Sequence, residues 1–169
     1  MRLLIISMLI LEFSSPLFSQ KCKFDKEGKD EFTGTSYRLK KMYSKQYKLK
    51  GVDLNCLIKE EASSFYLLLQ LDILGKINTT ISDKNIVNLK LNNGTVLTLK
   101  PRKAYEGTPH VTYEVKTNYK AEWIITRDDM EKIALSEPEK IRIEIDQPYD
   151  LEIKNGADFT NSAKCFLKN

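Results

Sequence analysis

The stretch Tyr119-Lys120-Ala121-Glu122-Trp123-Ile124-Ile125-Thr126-Arg127-Asp128-Asp129-Met130-Glu131-Lys132-Ile133-Ala134-Leu135 changes its periodicity halfway along. Tyr119, Ala121, Trp123 and Ile125 fall at every second position, the spacing of one face of a strand. Met130, Ile133 and Ala134 then recur at i, i+3 and i+4, the spacing of one face of a helix. Between the two patterns, Thr126 stands where a helix N-cap is needed. Asp129 follows three residues later, in the position of a capping-box acid but with a shorter side chain. Asp128 and Asp129 also lie where the helix dipole favours negative charge, by about 0.3–1 kcal/mol each at most. The adjacent carboxylates are therefore explained by a strand turning into a helix, without any acid–base role. Pro138 closes the helix before a strand begins near Ile141.

Strand spacing extends outward from this junction. Phe65, Leu67, Leu69, Leu71 and Ile73 share one face, and Tyr66 and Leu68 make the other face partly apolar, so this strand is expected at the centre of a sheet. Asn92-Asn93-Gly94 separates Ile86–Leu91 from Thr95–Lys100 and predicts a hairpin, because Asn-Gly tolerates the positive φ angles of a tight turn. Val111, Tyr113 and Val115 alternate, and a turn at Thr117-Asn118 is expected before Tyr119. Ile141, Ile143 and Ile145 oppose Arg142, Glu144 and Asp146, the pattern of a sheet covered on one side. Leu151 and Ile153 indicate one more short strand. Tyr37, Leu39, Tyr43, Tyr47 and Leu49 at odd positions predict a long strand or a hairpin over Thr35–Lys50. Phe159, Ala163, Phe166 and Leu167 have helical spacing, so an amphipathic helix is expected from about Gly156 to Leu167. The pattern predicts an α+β fold: a mainly antiparallel meander with a short strand-connecting helix and a C-terminal amphipathic helix. An all-β sandwich or barrel with peripheral helices is the alternative.

Arg2 followed by the apolar run Leu3–Leu11 and the polar segment Glu12–Ser19 has the form of an export signal, with cleavage expected after Ser19. The run is about half of the 20 apolar residues a membrane span requires. Residues 20–169 are then the length of one globular domain, with no linker or repeat dividing them. A net charge of +4 in 169 residues is too mild to imply a polyanionic partner by itself. Export permits a disulfide, and three cysteines allow three single pairings. Cys22 with Cys165 is the favoured pair, because chain termini tend to lie close together. Cys56, in an apolar strand pattern, then reads as a buried thiol.

Residue types for catalysis are sparse. His110 is the only histidine, so Cys56 would have to reach it to form a thiol–imidazole pair, and neither sits in a nucleophile motif. No two cysteines are close in sequence and no second histidine exists, so no zinc-type ligand spacing is present and no metal or cofactor is expected. The glycines form no phosphate-binding loop, and Asp83-Lys84-Asn85 lacks the glycine and glutamate of a calcium loop. Scattered carboxylates leave a small exported hydrolase open as an alternative function.

The strongest charge feature is Phe32–Val52, which contains no Asp or Glu. Arg38, Lys40, Lys41, Lys45, Lys48 and Lys50 are interleaved there with Tyr37, Tyr43 and Tyr47. Cations beside aromatic rings suit an anionic polymer, while lysines on an edge strand also serve to block edge-to-edge aggregation, with the tyrosines facing the core.

Phe18-Ser19-Gln20, Cys22-Lys23-Phe24-Asp25 and Asp30-Glu31-Phe32-Thr33-Gly34, with Trp123–Ile133 and Ile141-Arg142-Ile143, resemble small exported proteins of Bacteroidetes-type bacteria. That group has no assigned activity, so the resemblance implies residence in the periplasm, at the cell surface or outside the cell, and no functional residue. The expected function is an exported, non-enzymatic binding or accessory module of the cell envelope. Its expected partner is an anionic envelope glycan, a lipid head group or another envelope protein, and no specific nucleic acid. A polyanion-binding protein acting through the Lys/Tyr-rich strand is a further alternative.

Overall fold

The computed structural model describes residues 22–47, 50–111 and 113–168. The export signal expected at residues 1–19, and the patch residue Lys48, lie outside them. The elements are β1 (Lys26–Lys29), β2 (Ser36–Tyr47), β3 (Val52–Glu61), β4 (Ser64–Leu74), β5 (Val87–Leu91), β6 (Val96–Leu99), β7 (Thr108–Val111), β8 (Val115–Ile125), α1 (Arg127–Leu135), β9 (Pro138–Glu144), β10 (Pro148–Glu152) and α2 (Gly156–Leu167). The fold is α+β and mainly antiparallel. After the meander β1–β4 the chain divides between two sheets, a six-stranded one ordered β1-β2-β3-β4-β8-β7 and a four-stranded one ordered β10-β9-β5-β6.

The strand expected at the centre is central: β4 pairs with β3 on one side and β8 on the other, and Phe65, Leu67, Leu69, Leu71 and Ile73 are all buried. The Asn-Gly hairpin forms between β5 and β6, with Gly94 at φ 87°. Leu91 N–H donates to the Thr95 carbonyl at 2.8 Å, which closes the loop around the one left-handed residue. The turn expected at Thr117-Asn118 does not form there. Both residues lie inside β8, and the chain reverses between Val111 and Val115. The buried Thr117 hydroxyl donates to the Gly75 carbonyl and accepts from Ile77 N–H, and Asn118 donates to Asp72, so the sheet satisfies these polar groups without a turn.

One core takes side chains from both sheets and from both helices, as the α+β expectation requires. On one flank the chain leaving β6 runs onto β8: Pro101 pairs opposite Trp123, and Ile124 N–H donates to the Lys100 carbonyl at 2.8 Å. On the other flank the hydroxyls of Tyr43 and Tyr47, from β2, both donate to the Glu152 carbonyl of β10. The helices pack on each other, with the Thr160 hydroxyl donating to the Ile133 carbonyl at 2.9 Å. Gly156 starts α2 against β9, where a Cβ would stand 2.4 Å from the Pro138 carbonyl oxygen. The last turns of α2 hold the segment before β1, where Phe24 packs on Phe166 and Cys22 is bonded to Cys165, and Phe65 of β4 packs on the same Phe166 ring. Cys56 is free and fully buried.

Candidate anion-binding groove at the sheet junction

Strand β2 is one continuous strand with a bulge between Lys41 and Tyr43. A bulge adds one residue and reverses which parity faces which side. Tyr37 and Leu39 stand opposite Glu61 and Lys59 on the outer face of the sheet. Beyond the bulge, Tyr43, Lys45 and Tyr47 stand opposite Cys56, Leu54 and Val52, on the inner side. The odd-position series therefore does not share one face, and the basic-aromatic set is split between two surfaces.

Most of its members are engaged by the fold. Arg38 donates to Glu60 at 2.6 Å and lies over the rings of Phe24 (4.7 Å) and Phe166 (5.5 Å). The Lys40 ammonium donates to the Lys23 carbonyl, and the Lys41 backbone N–H donates to Asp25, while the Lys41 side chain is exposed. Tyr43 is in the core, and its hydroxyl is 3.0 Å from that of Tyr47. Lys50 donates to the Asp150 carbonyl. Tyr43, Tyr47 and Lys50 thus cap outward-facing carbonyls of β10, the edge of the four-stranded sheet. Burial and the Tyr43 bond push the Tyr47 phenol well above its ordinary range, so it remains a donor.

Lys45, Tyr47 and Lys50 remain together at an open groove of about 290 Å³, completed by Lys140, Asp150, Leu151 and Glu152. The Lys45 ammonium sits 4.7 Å from the Tyr47 ring centre. Among the described residues, no carboxylate lies within 4.0 Å of the ammoniums of Lys45, Lys50 or Lys140. Asp150 is occupied by a two-point pair with Arg142, at 2.6 and 2.9 Å, which holds its carboxyl below the usual range. The groove therefore offers three ammonium groups beside an aromatic ring, against two carboxylates: Asp150, which Arg142 neutralises, and Glu152, which stands opposite Lys140. Lys140 comes from β9, far from the basic segment in sequence. Its only sequence signal is the polar face that Lys140 and Arg142 make opposite Ile141 and Ile143.

The other candidates are placed apart or are accounted for. Cys56 points into the core with its thiol pKa pushed up by burial, whereas His110 stands opposite Lys116 on the outer face, 3.9 Å from Asp72. They do not form a pair. Asp83-Lys84-Asn85 is a turn in which the Asn85 side chain accepts from Ser82 N–H at 2.8 Å. On the outer face Glu61 and Glu122 share Arg102 and Lys59, and Asp53, directly opposite Asp72, is paired with Lys116. Among the described residues no three His, Cys, Asp or Glu side chains gather as metal ligands, and no helix is long and apolar enough to cross a membrane.

No family model, curated protein or solved structure matches the chain.

Proposed function

We propose that this chain is an exported binding module of the cell envelope that holds an anionic ligand in the junction groove and catalyses no reaction on it. The observation that carries this reading is the convergence of Lys45, Lys50 and Lys140 on an open groove beside Tyr47. Ammonium groups on flexible stems meet carboxylate or sulfate groups as point charges, and the ring supplies apolar surface for a sugar. Export is supported by the form of residues 1–19, by the resemblance to exported bacterial proteins, and by the Cys22–Cys165 bridge, since disulfides persist in oxidising compartments.

The test is retention on immobilised heparin across a salt gradient. The wild-type chain should be retained and elute with rising salt, and Lys45→Glu should elute markedly earlier. Lys41→Glu, on the opposite face of β2, should elute with the wild type apart from the small effect of net charge. Equal elution of the two variants would overturn the reading.

A further inference from the structure

The groove continues beyond β10. Lys140 and Asp150 also line a second depression, with Asn88, Lys90, Val96 and Arg142, on the outer face of the four-stranded sheet. The strand register aligns these residues in two rows. Glu152, Lys140, Lys90 and Val96 stand side by side from β10 to β6, and Asp150, Arg142, Asn88 and Thr98 form the adjacent row. Strands lie about 4.8 Å apart, so from the Lys45–Lys50 edge to Lys90 is roughly 15 Å.

Within the first row, Lys90 and Lys140 are directly opposite each other on neighbouring strands. Like charges in this position destabilise a sheet. The same sheet chemistry is handled differently elsewhere: Asp53 faces Asp72 across β3 and β4, and Lys116 and Asn118 bind those two carboxylates at 3.0 and 2.8 Å. For the lysine pair the only ion-pair partner among the described residues is Glu139, 2.6 Å from Lys90, and Lys140 has none.

We infer that the two depressions are one site, and that it takes an extended acidic polysaccharide whose carboxylate or sulfate groups lie in turn near Lys45 and Lys50, Lys140 and Lys90. This rests on the anionic-ligand reading above and adds the ligand's class and direction. A chain crossing the strands meets ammonium groups at the Lys45–Lys50 edge, at Lys140 and at Lys90, with Glu152 and the Arg142-paired Asp150 of β10 between the first two, while a single small anion meets only one end. A polysaccharide fits better than a membrane surface. Peripheral membrane binding inserts large apolar side chains beside the cations. Here the most exposed ones (Phe32, Val111, Tyr113 and Leu135) all lie off this face, and Val96 is the one large apolar side chain exposed within it.

The experiment measures affinity for heparin-derived oligosaccharides of increasing length, and for vesicles of anionic phospholipid, with the full mature chain. Wild-type affinity should rise from disaccharide to hexasaccharide. Lys140→Gln and Lys90→Gln should each lose about tenfold on the hexasaccharide, flatten its log–log salt slope by roughly one unit, and bind the disaccharide almost as wild type. Lys45→Glu should weaken every length. Lys140 faces Lys90 on one side and Glu152 on the other, so Lys140→Gln should melt close to wild type, and a melting curve measured beside the affinity keeps weaker binding from being assigned to misfolding. If Lys45→Glu weakens binding but Lys90→Gln and Lys140→Gln leave hexasaccharide affinity unchanged, the extended site is overturned and the junction groove stands. If the wild type binds no oligosaccharide, both readings fall. Binding to vesicles alone overturns the polysaccharide assignment.

Discussion

The indole N–H of Trp123, on β8 of the six-stranded sheet, donates a 3.0 Å hydrogen bond to the backbone carbonyl of Asn85, just before β5 of the four-stranded sheet. Trp123 is fully buried, its backbone lies between Leu67 of β4 and Pro101 of the chain leaving β6, and its indole bond links the six-stranded sheet to the start of β5. Trp123→Phe removes the donor, leaves the Asn85 carbonyl unpaired and opens a cavity. It should cost about 2–4 kcal/mol, read as a lower urea midpoint with an unchanged slope.

The Cys22–Cys165 bridge spans a sequence separation of 143. Its loss removes a constraint on the unfolded chain, so reduction or Cys22→Ser should lower stability by about 2–4 kcal/mol. Cys56, fully buried and with its pKa raised by burial, should stay unlabelled by a thiol-alkylating reagent in the native state and react after denaturation.

Thr126 and Asp129 form the reciprocal capping box: the threonine Oγ1 accepts from Asp129 N–H, and the aspartate carboxylate accepts from Thr126 N–H, each at 3.1 Å. Thr126→Ala should cost about 1 kcal/mol in thermal or urea unfolding. The same variant should leave heparin retention unchanged, since α1 does not line the groove.

Two tyrosines offer a matched comparison. The Tyr119 hydroxyl donates to the Thr79 carbonyl at 2.7 Å, whereas the buried Tyr105 hydroxyl finds no acceptor among the described residues. Tyr119→Phe should destabilise by about 1 kcal/mol, and Tyr105→Phe should be neutral or stabilising by a similar amount.

The pH profile should fall away on both sides. Bonds from Arg102 and Lys59 hold the Glu61 carboxyl below its ordinary 4.5. Its contribution is complete above that value and is lost as pH falls through the lower folded value, because the unfolded chain binds the proton more readily. Arg102→Gln should flatten the acid limb of a stability–pH curve. On the alkaline side, burial pushes the Tyr149 phenol from 10.0 up to about 12. Its contribution is complete below pH 10 and is lost as pH rises toward 12, which tyrosinate absorbance and circular dichroism would follow together.

Local rules were enough for the elements whose side chains alternate without interruption. The strand-to-helix change at Thr126, the central strand Ser64–Leu74, the Asn-Gly hairpin and helix Gly156–Leu167 are all written in periodicity, caps and turn residues acting over a few positions. The Cys22–Cys165 pair was legible too, from the closeness of chain ends. The tertiary structure alone decided three things. It put the bulge between Lys41 and Tyr43, which turns Tyr37 outward and Tyr43 inward although both are odd-numbered. It kept Thr117 inside a strand, because the Gly75 carbonyl accepts from its hydroxyl and the Ile77 N–H donates to it. And it brought Lys140 of the four-stranded sheet to the groove that Lys45 and Lys50 line. The physical reason is one of range. A cap, a turn or a face is set by neighbours along the chain, whereas a bulge, a buried polar partner and a groove between sheets depend on strands that meet only after folding.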